Sequence, residues 1–201
     1  MSVFTNPASG AAEHANAYTA AVLELLGTRP PLDVLRSTPT ALRERLGTLT
    51  KSQMLQPETA GKWSIKYVVQ HLADAELATG WRLRLVLAQD RPTLTGYDQD
   101  LWSMRLHYDQ ADVEHALEEF AVLRRANLRL IEAASADDLT RVGVHVERGE
   151  QSVELMIRMS AGHDLLHLRQ IDRIRHVIPI QTGTPPMDDR RTSEPKPTPV
   201  L

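Results

Sequence analysis

Hydrophobic residues recur along most of this chain at intervals of three and four, the spacing that lines one face of an α-helix. From Ala11 to Leu26 an alanine-rich run carries Tyr18, Val22, Leu25 and Leu26 on that spacing, and Gly27, Pro30 and Pro31 end it. Leu32, Leu35, Leu42, Leu46 and Leu49 continue as one or two further helical segments, with Pro39 placed to start the second after Thr38. Gln56 to Lys62 is a loop by composition. A long helix then opens at Trp63-Ser64 and runs to about Gln89, with Ile65, Val68, Leu72, Ala75, Thr79, Leu83 and Val86 as its buried stripe. Ser64 is the natural N-cap, and Trp63 stands where it can pack on Val68 as a hydrophobic staple.

The connection from Arg91 to Ala111 is too long for a turn and holds Tyr97, Trp102, His107 and Tyr108, so it is expected to fold over one end of the helices as a lid. Asp112 caps a helix that reaches about Ala134, with Val113, Leu117, Phe120, Leu123, Leu128 and Ile131 facing inward. Thr140 to Gln151 alternates through Val142, Val144 and Val146, the pattern of a short extended excursion or hairpin. A last helix covers Gln151 to Val177. The pattern therefore predicts an all-α single domain over about residues 11–178. Its principal helices lie near Ala11–Leu26, Ser64–Gln89, Asp112–Ala134 and Gln151–Val177. Residues 1–10 are expected to fray, and the proline-rich stretch 179–201 is expected to be a mobile tail, because it has no apolar periodicity to bury.

The last helix breaks its own rule. Its inner stripe reads Val153, Met156, Ile157, Ser160, His163, His167, Ile171 and Ile174, so two imidazoles stand where aliphatic side chains belong. Residues four apart lie one above the other on a helix, and both rings can reach one point. Two ligands make half a metal site. The third is sought among His14, His71, His107, His115, His145 and His176. His71 is favoured, because it lies at the edge of the buried stripe of a long helix at a depth comparable to His163. His115 and His176 fall in the first and last turns of their helices, where capping or dipole roles suffice. His107 and His145 lie in irregular segments that could line the mouth of a site.

The plainer alternative is a pair of core-edge histidines bonded to Glu76, Asp164 or Asp172, since the spacing lacks the intervening glutamate of the H-E-x-x-H metalloproteases. Three neutral imidazoles suit one divalent ion, Zn or Ni first, with Fe, Mn or Cu also compatible. Asp74, Glu76 and Asp164 are candidates to accept from the ring N–H groups that face away from the ion. Asp164 is turned about a hundred degrees around the helix from His163, which suits orienting rather than reacting. Arg82, Arg84 and Arg91, with Arg169, Arg173 and Arg175, could form an anion-binding rim, although solvated helix faces explain arginines as well.

Composition narrows the function. The 201 residues contain 42% hydrophobic and only 4% aromatic residues, so the core must be built mainly from aliphatic side chains. A net charge of −3 gives no electrostatic footprint for nucleic acid. No signal peptide or membrane span is evident, which makes the cytoplasm the expected location, with no membrane partner. With no cysteine, any thiol chemistry must use a sulfur brought by a cosubstrate.

Trp63-Ser64 followed by His71-Leu72, Tyr97-Asp98-Gln99 with Trp102, Gly149 before the last helix, and His163-Asp164-x-x-His167-Leu168-x-Gln170-Ile171 together resemble the DinB/YfiT-like proteins over roughly Ala11 to Ile178. The resemblance implies a four-helix bundle in an up-down-down-up arrangement, often a homodimer, with a divalent metal on His71, His163 and His167. It also implies metal-dependent chemistry with a low-molecular-weight thiol, and induction by DNA damage rather than DNA binding. The proline-rich tail and the broken N-terminal region depart from the family pattern. The resulting expectation is a metal-dependent transferase that activates an external thiol toward a small electrophile. The alternatives are a metal-dependent hydrolase and a non-catalytic, stress-related binding module in which Glu76 or His107 closes the coordination shell.

Overall fold

The computed structural model describes residues 11–178, with side chains from Ala15 onward; the segments 1–10 and 179–201, expected to fray and to form a tail, lie outside the described residues. Among the described residues, eight helices and three short strands follow in the order α1 (Ala11–Leu26), α2 (Pro31–Leu46), α3 (Lys51–Met54), α4 (Ile65–Ala88), β1 (Thr93–Leu94), α5 (Gln99–Arg105), α6 (Val113–Ala133), α7 (Ala136–Thr140), β2 (Val142–His145), β3 (Gly149–Ser152) and α8 (Val153–Val177). Among the described residues no helix is long and apolar enough to cross a membrane.

Four helices close a ring: α2 packs on α6 and α8, and α4 packs on the same two. Their apolar stripes meet in two clusters stacked along the bundle. One holds Leu42 and Leu46 of α2, Ile65 to Ala73 of α4, Ala116, Leu117 and Phe120 of α6, and Leu168, Ile171 and Ile174 of α8. The other holds Val34 and Leu35, Leu83 and Val86, Ile131, and Val153, Met156 and Ile157. The late turns of α2 and α8 thus meet the early turns of α4 and α6, so α2 and α8 run one way and α4 and α6 the other. That is the up-down-down-up bundle. Parallel neighbours such as α4 and α6 oblige the chain to travel back the length of the bundle between them, which is what the long connection 89–112 does. It leaves β1 against the end of α4, where Leu94 joins the cluster of Val86, and brings Tyr108 back to Tyr67 near the start of α4, ring centroids 5.9 Å apart.

The bundle corrects the sequence reading of its first members. The fourth core helix is α2, and α1, read as a principal helix, lies along α8 as an addition to the ring. The crossing is close because Gly162 has no side chain: a Cβ there would stand 2.1 Å from the carbonyl oxygen of Val22. Pro39 does not start a helix either. Pro31 takes the first turn of α2 and Pro39 lies inside it. A proline at 39 supplies no N–H for the carbonyl four residues back, that of Leu35. The buried guanidinium of Arg124 donates to that oxygen instead, Nη1 to O 2.9 Å.

Local signals explain the other ends. Asp112 accepts from the N–H groups of Glu114 and His115 as expected of an N-cap. Ser64 occupies the N-cap position of α4, but its hydroxyl makes no capping bond and is buried without a partner. α8 starts two residues later than its periodicity suggests, because Gln151 and Ser152 finish β3 and the Ser152 hydroxyl caps the N–H of Leu155. The alternating valines do form a hairpin: β2 pairs antiparallel with β3, and Gly149 turns it at φ +69°. β1 adds a parallel edge to β2 that the sequence pattern did not announce. Arg141, just before β2, donates to the carbonyls of Val86 and Gln89 and so satisfies the end of α4.

Candidate metal centre

α4 and α8 are antiparallel neighbours, and His71, in the second turn of α4, meets His163 and His167 on the middle turns of α8. Nε2 of His163 lies 3.1 Å from Nε2 of His71 and 3.1 Å from Nε2 of His167. All three nitrogens fall within 4.8 Å of one another, and the three residues form a group that can hold a metal ion. Ligand atoms about 2.05 Å from a tetrahedral ion stand about 3.3 Å apart, close to the two 3.1 Å separations that His163 makes.

The tautomers support the same reading. His167 Nδ1 is bonded to Oε1 of Gln170 at 2.8 Å; the ring nitrogen donates, which leaves the Nε2 lone pair facing the other two rings. A single proton on His163 Nε2 then serves only one of its two neighbours. The other pair is left nitrogen to nitrogen, a repulsion that a shared cation removes. Burial, followed by the charge of His167, holds His71 well below the ordinary histidine range. Burial likewise lowers His163 well below it, reinforced by His167 and His71. For His167 burial outweighs the Gln170 bond and brings the pKa to about 4. All three are neutral at pH 7, as ligation requires.

The carboxylates singled out from the sequence do other work. Asp164 receives Arg124 Nη1 at 2.6 Å and Nη2 at 3.0 Å, and Glu76 receives Nη2 at 2.8 Å. Glu76 also accepts from the side-chain amide of Asn127 at 2.8 Å. Asp74 is the acceptor of the Tyr108 hydroxyl, and Asp172 pairs with Arg45 near the surface. None of them holds a ring N–H of the three histidines. Gln170 takes that part for His167, and the buried Nδ1 of His71 has no partner. Arg124 is fully buried, 2% exposed, and its guanidinium stacks 4.6 Å from the Phe120 ring centre. Two carboxylates against one guanidinium leave one formal negative charge beside the rings, which favours a cation between them. Breaking such a buried network from one side costs about 3–5 kcal/mol.

The three rings form the floor of a cavity of about 260 Å³. Trp63 packs on His71 with ring centroids 5.0 Å apart. Tyr97, stacked on Trp102 at 4.3 Å, brings the long connection to the rim. Of the other histidines, His107 is exposed and His145 is buried with its Nδ1 accepting from the N–H of Glu147; neither lines the cavity. His115 and His176 stand in the first and last turns of α6 and α8, and the side chain of His14 lies outside the described residues. The expected arginine rim is largely spent elsewhere. Arg84 bonds Asn127 and Gly80, Arg91 pairs with Glu150, Arg173 pairs with Glu58, and only Arg82 of that set faces the cavity.

Sequence reasoning named Gln170 only as part of a motif and passed over Arg124, although each left a signal of its role. Gln170 stands three residues after His167, within reach on a helix. Arg124 continues the stripe Leu117, Phe120, Arg124, Asn127, Ile131 at steps of three and four, a charge on an inward face. Arg148, which also lines the cavity, left none, because it sits in a hairpin turn.

An up-down-down-up bundle with three convergent imidazoles at the floor of an open cavity defines a class of helical protein whose histidine cluster could hold a metal ion. The model of the DinB superfamily matches residues 35–171, from α2 to α8, and the chain belongs to that superfamily. It is 25% identical over 141 residues to a Bacillus cereus (strain ATCC 10987 / NRS 248) protein named "Putative metal-dependent hydrolase", a match covering 70% of this chain and 81% of the relative. An Oceanobacillus iheyensis protein named in the same way is 26% identical over 140 residues, with the same coverage. Among solved structures, YfiT from Bacillus subtilis, described as "a probable metal-dependent hydrolase with an unusual four-helix bundle topology", superposes with a TM-score of 0.69 at 24% identity, over 73% of this chain and 84% of its own.

Proposed function

We propose that His71, His163 and His167 hold one divalent metal ion and that the protein is a metal-dependent enzyme in which a low-molecular-weight thiol, brought as cosubstrate, is transferred to a small electrophile. The observation that carries this reading is the convergence of three neutral Nε2 atoms at the floor of an open cavity. Three protein ligands with an open side are the arrangement of catalytic rather than structural zinc sites. Bound there, the ion supplies Lewis acidity, which acidifies a nucleophile and polarises an electrophile.

The residues around it hold and orient. Gln170 fixes the His167 ring, and Trp63 covers His71 from the side. Arg124 engages Asp164 and Glu76, so neither of these two carboxylates beside the floor is free to act as a general base. That favours a nucleophile already close to ionisation, such as a thiol with a pKa of about 8.5, over water. It also disfavours the closed binding module, since Glu76 is committed to Arg124 and Asn127, and His107 is exposed away from the cavity.

Hydrolysis is the second reading, supported by the names of the relatives. The two are separated by assaying zinc- and nickel-loaded protein against thiols and electrophiles, with His163→Ala as control. Turnover that requires the thiol and disappears in the variant supports transfer. Thiol-independent cleavage that disappears in the variant replaces it with hydrolysis.

A further inference from the structure

The wall of the cavity carries charge that the metal site does not use. Arg82, from α4, and Arg148, from the β2–β3 turn, both line it. Arg82 is anchored: its Nε and Nη2 donate to the Thr95 carbonyl at 3.1 and 2.6 Å, and its guanidinium lies 5.7 Å from the Tyr97 ring centre. Arg148 is not anchored. Among the described residues it takes part in no ion pair, and its Nε is buried without a hydrogen-bond partner.

A guanidinium held in a partly desolvated wall beside another guanidinium is unfavourable unless something compensates it. Burial, then the charge of Arg82, holds Arg148 below the usual arginine range. Carboxylates share the wall but do not cancel the pair. Glu147 attracts both arginines without an ion-pair contact to either, and Asp98 spends its Oδ1 on the N–H groups of Asp100 and Leu101. Asp100 lies farther along the same wall. Arg148 and Arg82 line the same cavity of about 260 Å³ as His71, His163 and His167, so wall and floor are within the reach of one small molecule.

We propose that the small molecule taken by this site carries an oxyanion head group, a carboxylate or a phosphate, bound by Arg148 and Arg82 while its reactive end faces the three-histidine floor. The inference rests on the reading of the cavity as a small-molecule site. A planar guanidinium presents paired N–H donors that match either oxyanion, and among the described residues Arg148 makes no hydrogen bond or ion pair that would occupy its donors. Arg82 sets the second point of attachment, with Tyr97 holding its plane.

Calorimetric titration tests this without turnover. Benzoate, inorganic phosphate and neutral benzamide are titrated into metal-free and zinc-loaded protein and into Arg148→Met. Metal-free protein is essential, because an anion can also bind the metal. Saturable binding of benzoate or phosphate to the metal-free parent is expected, with benzamide at least about tenfold weaker and Arg148→Met at least about tenfold weaker for the anion. Whichever anion binds names the head group. The variant should keep its thermal stability, because among the described residues Arg148 has no ion pair or hydrogen bond to lose. Equal binding of benzamide, anion binding unchanged in Arg148→Met, or no saturable binding of either anion overturns the proposal. Turnover of a neutral electrophile undiminished in Arg148→Met would also overturn it and leave the enzyme reading standing. Saturable, Arg148-dependent anion binding in a protein without turnover would do the reverse.

Discussion

Burial favours the neutral ring of His167, while a hydrogen bond to Gln170 and the charge of Asp164 favour the protonated one, and burial prevails. The ring's folded pKa of about 4 lies below the ordinary value of 6.5. In metal-free protein the unfolded chain therefore binds a proton below pH 6.5 that the folded chain refuses until about pH 4. The folded state is accordingly destabilised as pH falls through that window. By pH 4 the loss from His167 alone amounts to about 3 kcal/mol. His71 and His163, depressed by burial in the same sense, add to it. Denaturant midpoints of metal-free protein and of His167→Asn, measured from pH 7.5 to 4.5, should converge as pH falls, because the parent loses stability that the variant does not. Parallel curves would mean that the ring is not buried neutral.

At the scale of elements, α1 is fastened to α8 at a point without a side chain. Gly162→Ala would push a methyl group into the Val22 carbonyl, and α1 would have to lift. Overpacking of this kind costs about 1–3 kcal/mol. The variant should melt earlier yet bind metal with the parent's stoichiometry, since no ligand lies on α1; unchanged stability would show that α1 is not docked as described. The same helix marks where sequence legibility stopped. Both it and α2 carry apolar residues at helical spacing, and nothing local says which of them closes the ring with α4, α6 and α8. Pro39 read as a helix start because proline usually costs a helix a hydrogen bond. Here the vacated Leu35 carbonyl is taken by Arg124, a residue distant in sequence. β1 could not be foreseen for a similar reason: two residues acquire strand geometry only by pairing with β2.

The molecule as a whole was more legible than its parts. Helical periodicity over long stretches and one crossover connection too long to be a turn anticipated a helical bundle, two histidines on an apolar stripe marked His163 and His167, and placement together with the family resemblance singled out His71. The surroundings of the site were not legible, because they depend on pairings between helices. Arg124 draws in Asp164 and Glu76, which looked like partners for the imidazoles, and Arg148 reaches the cavity from a turn with no periodic pattern. The central claim is that the three rings are a metal site rather than a packed polar core. Its most direct test is calorimetric titration of metal-free protein with Zn²⁺ at pH 7.5, in the parent and in His163→Ala, with helicity checked by circular dichroism. The account predicts one ion per chain in the parent and affinity weakened by more than about a hundredfold in the folded variant. A parent without saturable binding, or a variant that binds as tightly, would contradict it.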